Sequence, residues 1–494
     1  MPTGHLVIDV GTSSLRACIV TSDATLEHER REVLLPTTPF NGAVEFDAEQ
    51  MANVALRLAT DVLTTHGPVH SVGITCQRAS TVLWEVHSGQ PLGPGIGWQD
   101  IRTAGMCLMW NAQGINLAPN QSATKLAFLL DVHDATRQRA MAGELRFGTV
   151  DTWIAWKLSG GTIHVTDASN AAVTGLCDIH PTQGVAWSKC RCDALAIPME
   201  LLPTIVDSSG PTGTLNQLIG TPELCGIAGD QQSSLLGQGC VTPGVAKMTF
   251  GTGGMLDMVL GSTPPAAAQR NASGTIPVVA WRIGATTCWG VEGIMLSAGT
   301  CVEWLRDDLG LIANAAESET IAASCTDTGG VVFVPALLGL ATPVWDYGAR
   351  GTLLGITRGT SRPEIVRAVL EGIAQRGADL VAAAQNDSAI PIRALRVDGG
   401  MSRNAVFVQS LADFTGLPVE VSPVLEATAL GAGFLAGLAT GTWADLDAVG
   451  STWAPHRRVE PLTTDSDRHV ARTRWIEALR RAGEWFPDLS ALKF

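Results

Sequence analysis

Residues 6–20 read LVIDVGTSSLRACIV, an apolar segment followed by a Gly-Thr-Ser-Ser turn and a second apolar segment. Two such runs, rich in β-branched residues and separated by small turn residues, predict a β-hairpin. Residues 245–260, VAKMTFGTGGMLDMVL, repeat this order around a Gly-Thr-Gly-Gly turn. Because each hairpin opens about half of the chain, the sequence predicts a duplicated domain.

The length of the chain also predicts two domains. It has 494 residues, whereas single hydrophobic cores stop growing at about 250–300 residues. Gly, Cys and Pro cluster at residues 237–243, just before the second hairpin. We therefore expect the domains to span residues 1–241 and 242–494.

Strand-like and helix-like patterns alternate through both halves of the chain, which is typical of an α/β fold. Ligands of such folds bind where the strands end, here in a cleft between the halves. Helical patterns are found at residues 294–309, 363–384 and 427–439. The last is the longest apolar run, and we expect it to be a buried core helix because it is too short to span a bilayer.

Composition and charge exclude several classes of function. Hydrophobic residues make up 46% of the chain, and its net charge is −14, so it lacks the basic face that a nucleic-acid partner needs. The eleven cysteines are scattered without repeated CxxC pairs, as expected in a reducing compartment. Asp9 breaks the first apolar stretch before a signal-peptide core could form. We therefore expect a cytoplasmic protein with neither a nucleic-acid nor a membrane partner.

The turn of the first hairpin carries groups that suit a phosphate. Residues 11–14 expose consecutive backbone N–H groups and hydroxyl donors. Asp9 precedes the turn, where its carboxylate can hold Mg²⁺ directly or through water. Arg16 follows the turn and can clamp a transferring phosphoryl group. The alternative is an ordinary hairpin with an Asp beside its turn.

A second candidate loop for the nucleotide is LRVDGGMSRN at residues 395–404. A strand that ends in Asp-Gly-Gly and leads into a helix places amide donors at the helix N-terminus, where they suit a nucleotide phosphate or ribose. A plain Asp-Gly-Gly turn is the alternative. The pattern GxGxxG is absent after the first strand, which disfavours a dinucleotide-dependent enzyme.

The segment GIAGDQQSSLLGQG, residues 226–239, places Asp230 between a strand of small residues and an apolar helix. A carboxylate at such a strand end could accept the proton of an attacking hydroxyl. Asp is also a favoured helix N-cap, and capping is the alternative explanation of this residue.

Together these segments resemble the FGGY carbohydrate kinases, and within that family the glycerol kinases. The resemblance runs through IDVGTSSLRA, GITCQR, GWQDIRT, FGTVDTWIAWKL, HVTDASNA, GIAGDQQ, FGTGG, SAGTCVEWLRD, PVWDYGARGTLLGITRGT, VDGGMSRN and EATALGAGFLAGL, in this order over essentially the whole chain. It implies an α/β fold of two ribonuclease-H-like domains with a central cleft, as in actin and the heat-shock ATPases. It also implies ATP and Mg²⁺ as cofactors and a small polyol or sugar as substrate.

The resemblance further implies roles for individual residues. The acceptor site and a phosphate loop would lie in the N-terminal domain, with the nucleotide bound mainly by the C-terminal domain. Asp9 would help to hold Mg²⁺, and Asp230 would be the general base on the acceptor hydroxyl. Arg78, Trp98 and Gln231 would contact the acceptor. The nucleotide-binding residues would be Gly11, Thr12, Ser13, Ser14, Arg16, Thr252, Gly253, Gly299, Glu303, Gly400 and Asn404.

The chain departs from the glycerol kinase pattern at four positions that the resemblance places near the acceptor or the nucleotide. Ala79 follows Arg78 where glycerol kinases have Glu, and Glu303 stands where they usually have Gln. Asn120 and Met255 take positions where a Tyr and another aromatic residue are expected. A hydrogen-bonding site discriminates strongly when a polar partner is missing. We therefore expect a polyol larger than glycerol, such as a tetritol, or a ketose.

The mechanism expected from these residues is in-line transfer to a primary hydroxyl. Asp230 would accept the proton while Mg²⁺, Arg16 and the turn amides stabilise charge on the γ-phosphoryl group. An actin-like or chaperone-like ATPase module and a catalytically silent sugar sensor are the alternatives. Asp230, Arg78 and Trp98 together favour a polyol kinase over the ATPase module, and the intact Asp9, Asp230 and glycine turns favour it over the silent sensor. The sequence leaves open whether the chain forms a homo-oligomer.

Overall fold

The computed structural model describes residues 3–180, 184–265, 269–424 and 426–492. The strands within these ranges are β1 (His5–Val10), β2 (Ser14–Val20), β3 (Leu26–Val33), β4 (Glu45–Phe46), β5 (Ser71–Cys76), β6 (Val82–Glu85), β7 (Gly95–Ile96), β8 (Leu145–Gly148), β9 (Val165–Asp167), β10 (Cys177–His180), β11 (Gly184–Trp187), β12 (Thr204–Val206), β13 (Ser209–Thr214), β14 (Glu223–Gly229), β15 (Val245–Phe250), β16 (Gly254–Gly261), β17 (Ile276–Ile283), β18 (Thr286–Met295), β19 (Val332–Val334), β20 (Thr352–Leu354), β21 (Ala394–Asp398), β22 (Val419–Val421) and β23 (Arg457–Val459).

The α-helices within the same ranges are α1 (Ala48–His66), α2 (Ala104–Ala112), α3 (Ser122–His133), α4 (Gln138–Met141), α5 (Val150–Leu158), α6 (Ala168–Ala172), α7 (Lys189–Ala194), α8 (Asp230–Gly237), α9 (Gly299–Asp307), α10 (Glu317–Ala323), α11 (Arg362–Ser388), α12 (Ala405–Thr415), α13 (Ala427–Thr440), α14 (Leu446–Ser451), α15 (Asp465–Ala482) and α16 (Pro487–Ser490). Short 3₁₀ turns lie at Met199–Leu201 and Gly400–Arg403. No helix in the described part of the chain is both long and apolar enough to cross a membrane.

Within the described ranges, thirteen strands form one central sheet in the order β23-β22-β21-β15-β16-β18-β17-β13-β14-β5-β1-β2-β3. In the first half, β1, β2 and β3 are antiparallel, and β5 and β14 continue the sheet in parallel beyond β1. In the second half, β15, β16 and β18 are antiparallel, and β21 and β22 continue in parallel beyond β15. The two halves therefore share one topology. Both predicted hairpins and the α/β class are confirmed.

The strands of the two halves meet along one narrow seam. Among the described residues, β13 and β17 are joined by a single register pair, Ser209 with Ile283. The expected boundary after residue 241 falls in the connection between α8 and β15. The boundary itself stays a prediction.

Helix α13 is shared by both halves. It comes from the second half of the sequence but packs against β14, β5 and β1 of the first half. Val7, Val20, Phe434 and Trp443 belong to the same buried apolar cluster. The prediction of a buried core helix at residues 427–439 is thereby confirmed.

The crossing of α13 with α8 is unusually close. A Cβ atom on Gly431 would lie 1.8 Å from the carbonyl oxygen of Ser233, and one on Gly237 would lie 1.8 Å from that of Ala427. Both neighbours are backbone atoms, which cannot swing away. Glycine is therefore required on both helices for their backbones to touch.

The two other helix predictions had different outcomes. The pattern at residues 363–384 is confirmed as α11, whose start carries the capping box of Ser361 and Glu364. The pattern at residues 294–309 is wrong at its beginning, because its first two residues complete β18 and the helix starts at Gly299. Periodicity alone does not separate the end of a buried strand from the start of a buried helix.

Candidate active site

A cavity of about 220 Å³ opens beside the turn of the first hairpin. It brings together residues that are far apart in the sequence and that include the beginning of α13. Its lining residues are Asp9, Gly11, Ser14, Arg16, Arg31, Asp230, Glu426 and Thr428. Five of the predicted site residues therefore line this cavity. They are Asp9, Gly11, Ser14, Arg16 and the expected general base, Asp230.

Arg16 is held by three carboxylates at the wall of this cavity. It is directly opposite Asp9 in the β1–β2 pair, and its Nη1 lies 3.5 Å from Asp9 Oδ2. Its Nε donates a hydrogen bond of 3.1 Å to Glu29 Oε1, and its Nη1 is also paired with Glu426. Since Glu426 immediately precedes α13, this ion pair connects the first hairpin to the helix that both halves share.

The cavity brings three carboxylates together with two guanidinium groups, and its carboxylates can serve as ligands of a cation. Burial raises the pKa of Asp9 to about 7 against the attraction of Arg16, and Asp230 and Glu426 add to the rise. Within the described ranges, no three His, Cys, Asp or Glu residues are close enough to hold a metal ion by themselves. Mg²⁺ is usually held by one or two carboxylates together with phosphate oxygens and waters. Asp9 fits such a site, with the remaining positions left to the nucleotide.

The turn itself is tied to the predicted acceptor side. The N–H of Gly11 donates to the carbonyl of Ser14 at 3.0 Å and closes the turn. Trp98 Nε1 donates to Thr12 Oγ1 at 3.1 Å, and Arg31 Nε donates to Ser14 Oγ at 3.2 Å. The indole expected at the acceptor site therefore lies directly against the loop expected at the phosphates.

The remaining turn residue, Ser13, contacts the edge of the sheet. Its carbonyl oxygen accepts a hydrogen bond of 2.9 Å from the N–H of Leu34, which follows β3. The whole turn is thus braced from both sides by hydrogen bonds. A braced turn keeps its free amide donors in fixed directions, as a phosphate site requires.

Asp230 is the first residue of α8 and follows β14 directly. Its Oδ1 accepts a hydrogen bond of 2.8 Å from the N–H of Gln231 and lies 3.6 Å from Arg78 Nε. The N-cap position of α8 belongs to Gly229, so capping does not account for the carboxylate. Burial raises the pKa of Asp230 against the attraction of Arg78. A raised pKa makes this carboxylate a better proton acceptor at neutral pH.

Gln231 turns toward the sheet of the second half. Its Oε1 accepts a hydrogen bond of 2.6 Å from Nζ of Lys247, which is fully buried on β15. The side chain expected to contact the acceptor is therefore also held by a buried lysine. Because this hydrogen bond uses the amide oxygen of Gln231, the NH₂ group of the same side chain remains available to another partner.

The three positions at which the chain departs from glycerol kinases on the acceptor side are Ala79, Asn120 and Met255. Ala79 is buried, whereas Asn120 is exposed just before α3 and Met255 is half-buried on β16. Lys125 Nζ donates to the carbonyl oxygens of Ala79 at 3.2 Å and Asn120 at 2.8 Å. Burial lowers the pKa of Lys125 to about 7. Lys125 thus ties together two loops that carry altered residues.

The turn of the second hairpin packs against the start of α9. The carbonyl of Thr252 accepts hydrogen bonds from the N–H groups of Ala298 and Thr300, at 2.9 and 3.2 Å. A Cβ atom on Gly299 would lie 2.5 Å from the carbonyl oxygen of Gly251, which excludes any other residue there. Three of the predicted nucleotide residues, Thr252, Gly253 and Gly299, therefore form one compact unit, with Glu303 exposed one turn further along α9.

The candidate nucleotide loop at residues 395–404 contacts the end of β15, the strand that leads into the second hairpin turn. A Cβ atom on Gly399, whose φ is +85°, would lie 2.3 Å from the carbonyl oxygen of Phe250 at the end of β15. Gly400 begins the 3₁₀ turn. Asn404 is the N-cap of α12, where its Oδ1 accepts from the N–H of Phe407 at 3.0 Å. The side chain of Asn404 is thus occupied by the protein, and its backbone remains to line a nucleotide pocket.

Four residues around the site were not predicted from the sequence. Glu426 stands directly before the apolar run of α13, and a lone carboxylate at that position was a usable signal. Arg31 on β3 and Glu292 on β18 reach the site through strand register. Thr428 lies in the first turn of α13. Register and helix placement are not visible in one sequence, so these three had no signal.

Family models match both halves of the chain. The model of the N-terminal domain of the FGGY family of carbohydrate kinases matches residues 5–237, and that of its C-terminal domain matches residues 246–440. Together they cover most of the chain, including the cavity and both hairpins.

Individual relatives agree with these family models. The chain is 43% identical to a glycerol kinase of Aromatoleum aromaticum over 97% of its own length and 99% of that protein. Its structure is similar to that of Plasmodium falciparum glycerol kinase with ADP, with a TM-score of 0.91 and 27% identity over all of both chains. A xylulose kinase of Lactobacillus acidophilus has the same fold, with a TM-score of 0.83 over 97% of both chains. These neighbours have the two-domain fold of actin-like ATPases.

Proposed function

Because this chain belongs to the FGGY family of carbohydrate kinases, we propose that its ATP-dependent kinase activity acts on a primary hydroxyl of a small polyol or sugar. The observation that carries the proposal is the position of Asp230 in one cavity with Asp9, Arg16 and the first turn. A proton acceptor and a phosphate-binding turn then face the same space. An ATPase module or a silent sensor does not need that combination.

In this proposal Asp230 accepts the proton of the attacking hydroxyl. Its raised pKa suits general base catalysis near neutral pH, and Arg78 holds the carboxylate from the side at 3.6 Å. Arg78 and Trp98 orient the acceptor, and Gln231 adds an amide contact. Orientation alone can account for a large part of the rate enhancement of such transfers.

On the opposite side of the cavity, the backbone of residues 11–14 and the guanidinium of Arg16 bind the transferring phosphoryl group. The second hairpin turn, Gly299 and the loop at residues 399–404 bind the rest of the nucleotide. Asp9 would hold Mg²⁺, which when bound neutralises charge on the phosphate oxygens. Residues of both halves are needed for this arrangement.

Within the glycerol-kinase-like class, we propose an acceptor larger than glycerol, such as a tetritol, or a ketose. Ala79 is a buried methyl group and Met255 is an unbranched thioether, so neither offers a carboxylate or an aromatic wall. Asn120 is exposed at the loop before α3. Replacing bulky groups with smaller or more flexible ones leaves room for an additional hydroxymethyl group.

A screen of ADP release with glycerol, tetritols, pentitols and ketoses tests the proposal. We expect the highest kcat/KM for an acceptor with more than three carbons. The variant D230N should lose about 10²–10⁴ in kcat while its affinity for the nucleotide is unchanged.

Two results would contradict the proposal. ATP turnover that is independent of every acceptor would favour an ATPase module, and a panel in which glycerol has the highest kcat/KM would exclude the larger acceptor. Asn keeps a side-chain oxygen that can accept from the N–H of Gln231, but it cannot take up a proton as a carboxylate does. An active D230N enzyme would therefore show that the carboxylate is not the base.

A further inference from the structure

Three buried charged residues lie side by side on neighbouring strands of the second half. Lys247 on β15 is directly opposite Asp257 on β16, which is directly opposite Glu292 on β18. The three residues are 0%, 2% and 4% exposed, and side chains of this kind are almost never so buried unless paired. Lys247 Nζ lies 2.9 Å from Asp257 Oδ2. Asp257 is therefore neutralised by Lys247 within the sheet. Glu292 needs a different cation as its partner.

Glu292 finds its cation in the first half of the chain. Its Oε2 lies 2.6 Å from Arg78 Nη2, while Nε of the same guanidinium lies 3.6 Å from Asp230 Oδ1. Arg78 is thus bracketed by two carboxylates, one from each half. The guanidinium group of Arg78 therefore lies between Glu292 and the proposed general base.

Both members of this ion pair have unused hydrogen-bonding capacity. Arg78 Nη1 is buried and has no hydrogen-bond partner among the described residues. Glu292 Oε2 is paired with Arg78 Nη2 at 2.6 Å, but a carboxylate oxygen has a second lone pair that can still accept a hydrogen bond. Leaving a buried polar atom without such a partner costs about 1–3 kcal/mol. A hydroxyl group can accept from a guanidinium and donate to a carboxylate at the same time. A hydroxyl group placed between them can therefore accept from Arg78 Nη1 and donate to Glu292 Oε2.

Ala79, which follows Arg78 in the sequence, cannot supply a side-chain hydrogen-bond acceptor for a ligand hydroxyl. The side chain of Ala79 has no polar atom, and its carbonyl oxygen already accepts hydrogen bonds from Ser122 Oγ at 3.1 Å and Lys125 Nζ at 3.2 Å. The carboxylate beside Arg78 is instead that of Glu292 on β18, which belongs to the second half of the molecule.

We propose that Glu292 is a specificity-determining residue, which accepts a hydrogen bond from a hydroxyl of the acceptor next to Arg78. The inference rests on the proposed function, since it requires a polyol or sugar as acceptor. The hydroxyl that Glu292 binds is not the one that reacts, because the reacting hydroxyl faces Asp230 on the other side of the guanidinium. Glu292 therefore selects acceptors that carry a second hydroxyl at a set distance from the first.

The test compares acceptors that differ by one hydroxyl group. The pairs are erythritol with 1,2,4-butanetriol and glycerol with 1,3-propanediol. The wild-type enzyme should prefer the hydroxylated member of at least one pair by about 10²-fold or more, below the roughly 10⁴–10⁵ that a dedicated hydrogen-bonding site can reach. In E292Q we expect that preference to fall at least about tenfold, with the KM for ATP unchanged within about twofold.

The matched control is E420Q. Glu420 is another buried carboxylate of the second half, paired with Arg396 at 3.5 Å and Arg458 at 2.8 Å. The same substitution there also removes a charge from an ion pair, so it should lower stability without changing the preference between paired acceptors. Should E292Q fail to fold, E292D keeps the charge, withdraws it by one methylene and should still weaken the preference.

The outcomes separate this inference from the proposed function. A wild-type enzyme that phosphorylates none of these acceptors and no other polyol or sugar overturns the proposed function. An active wild-type enzyme whose preference survives in both E292Q and E292D overturns only the role of Glu292. An equal loss of preference in E420Q would also overturn it, because a distant ion pair would then have the same effect.

Discussion

Ala79 and Lys125 form an unusual neighbourhood beside the acceptor site. The amino group of Lys125 is fully buried and donates to two carbonyl oxygens, those of Ala79 and Asn120. Burial lowers the pKa of this lysine to about 7. A carboxylate at position 79 would stand close to an amino group that is expensive to keep charged.

The variant A79E is therefore expected to fold and to change the choice of acceptor. The new carboxylate would follow Arg78 directly and lie near the amino group of Lys125, which contacts the carbonyl oxygen of residue 79 at 3.2 Å and would be favoured in its charged form. We expect the ratio of kcat/KM for glycerol to kcat/KM for erythritol to rise at least about tenfold. Initial rates of ADP release with the two polyols measure this ratio.

A79Q is the control for the added volume. Glutamine has the same size as glutamate without the charge, so it should shift the ratio less. If A79Q and A79E shift it equally, the size of position 79, and not its charge, sets the choice of acceptor. A ratio unchanged in both variants would mean that position 79 does not face the acceptor.

At the residue scale, the sequence predicted the residues that lie within or beside recognisable turns. Asp9, Arg16 and Asp230 stand next to glycine-rich segments, and all three line the cavity. Glu292 was missed because its position depends on which residue of β16 it pairs with. Strand register is decided by long-range packing, which one sequence does not reveal.

Among the elements, the crossing of α8 and α13 leaves the least room for change. Alanine at Gly431 would place its Cβ 1.8 Å from the backbone oxygen of Ser233, so the two helices would have to separate. We expect G431A to lower the free energy of unfolding by about 3 kcal/mol or more. Because α8 begins with Asp230, kcat per folded molecule should fall as well.

The control for this substitution is G105A. Gly105 lies in α2, where an added Cβ meets nothing within 4 Å. Gly105 is exposed in the first turn of α2, so alanine there should leave the stability unchanged or raise it by less than about 1 kcal/mol. Urea unfolding of both variants measures the difference. A G431A protein as stable as wild type would show that the helices can cross with side chains between them.

The contact between β1 and the end of α13 predicts a dependence of stability on pH. His5 is buried on β1, with Nδ1 2.9 Å from Ser71 Oγ and Nε2 2.9 Å from Thr442 Oγ1. Burial lowers the pKa of His5 to about 4, and His70 adds to the shift. The unfolded chain, with a pKa near 6.5 for His5, therefore binds a proton that the folded chain refuses.

The stability that His5 contributes is complete above pH 6.5 and is lost as the pH falls toward 4. We expect this loss to be on the order of 2–3 kcal/mol. The variant H5Q keeps polar partners for both hydroxyls without titrating. Urea midpoints at pH 7.5, 6 and 4.5 should thus fall more steeply for wild type than for H5Q, and parallel curves would contradict the role of His5.

At the element scale, local signals were sufficient where an element is marked by its own residues. The hairpins are bounded by small turn residues, and α11 carries its capping box at Ser361 and Glu364. The junction of β18 and α9 is not marked in this way, because an apolar segment continues through the end of the strand. The position of the helix start is decided there by Gly299, which packs on the second hairpin turn.

The whole molecule presents its predicted nucleotide residues from two separate halves. Residues 11–14 belong to the first half and residues 251–254 to the second. If both turns bind the phosphates, the site is complete only when the halves close on each other. Closure would also exclude water, which could otherwise take the phosphoryl group.

Acceptor and nucleotide together should therefore compact the molecule more than either alone, because each stabilises the closed form from its own side. Small-angle scattering with a non-hydrolysable ATP analogue and the acceptor found in the screen measures the radius of gyration. Samples with one ligand are the controls. An unchanged radius with both ligands bound would mean that the two turns do not meet across a closing cleft.

The duplication of the fold was predictable at this scale, since two similar hairpins stand half a chain apart. The way the halves are joined was not. Among the described residues, the halves are joined by one register pair between β13 and β17 and by the shared helix α13, and both depend on tertiary packing. Neither has a periodic or compositional signature in the sequence.

The shared helix has a consequence for the growing chain on the ribosome. The first half ends at about residue 237, but α13, which covers Val7 and Val20 of its sheet, begins about 190 residues later at Ala427. At roughly 5–20 residues per second, that segment takes ~10–40 s to synthesise. During this interval an apolar face of the first sheet has no cover of its own. The nascent chain must be protected there, by a chaperone or by transient contacts, until its last quarter has emerged.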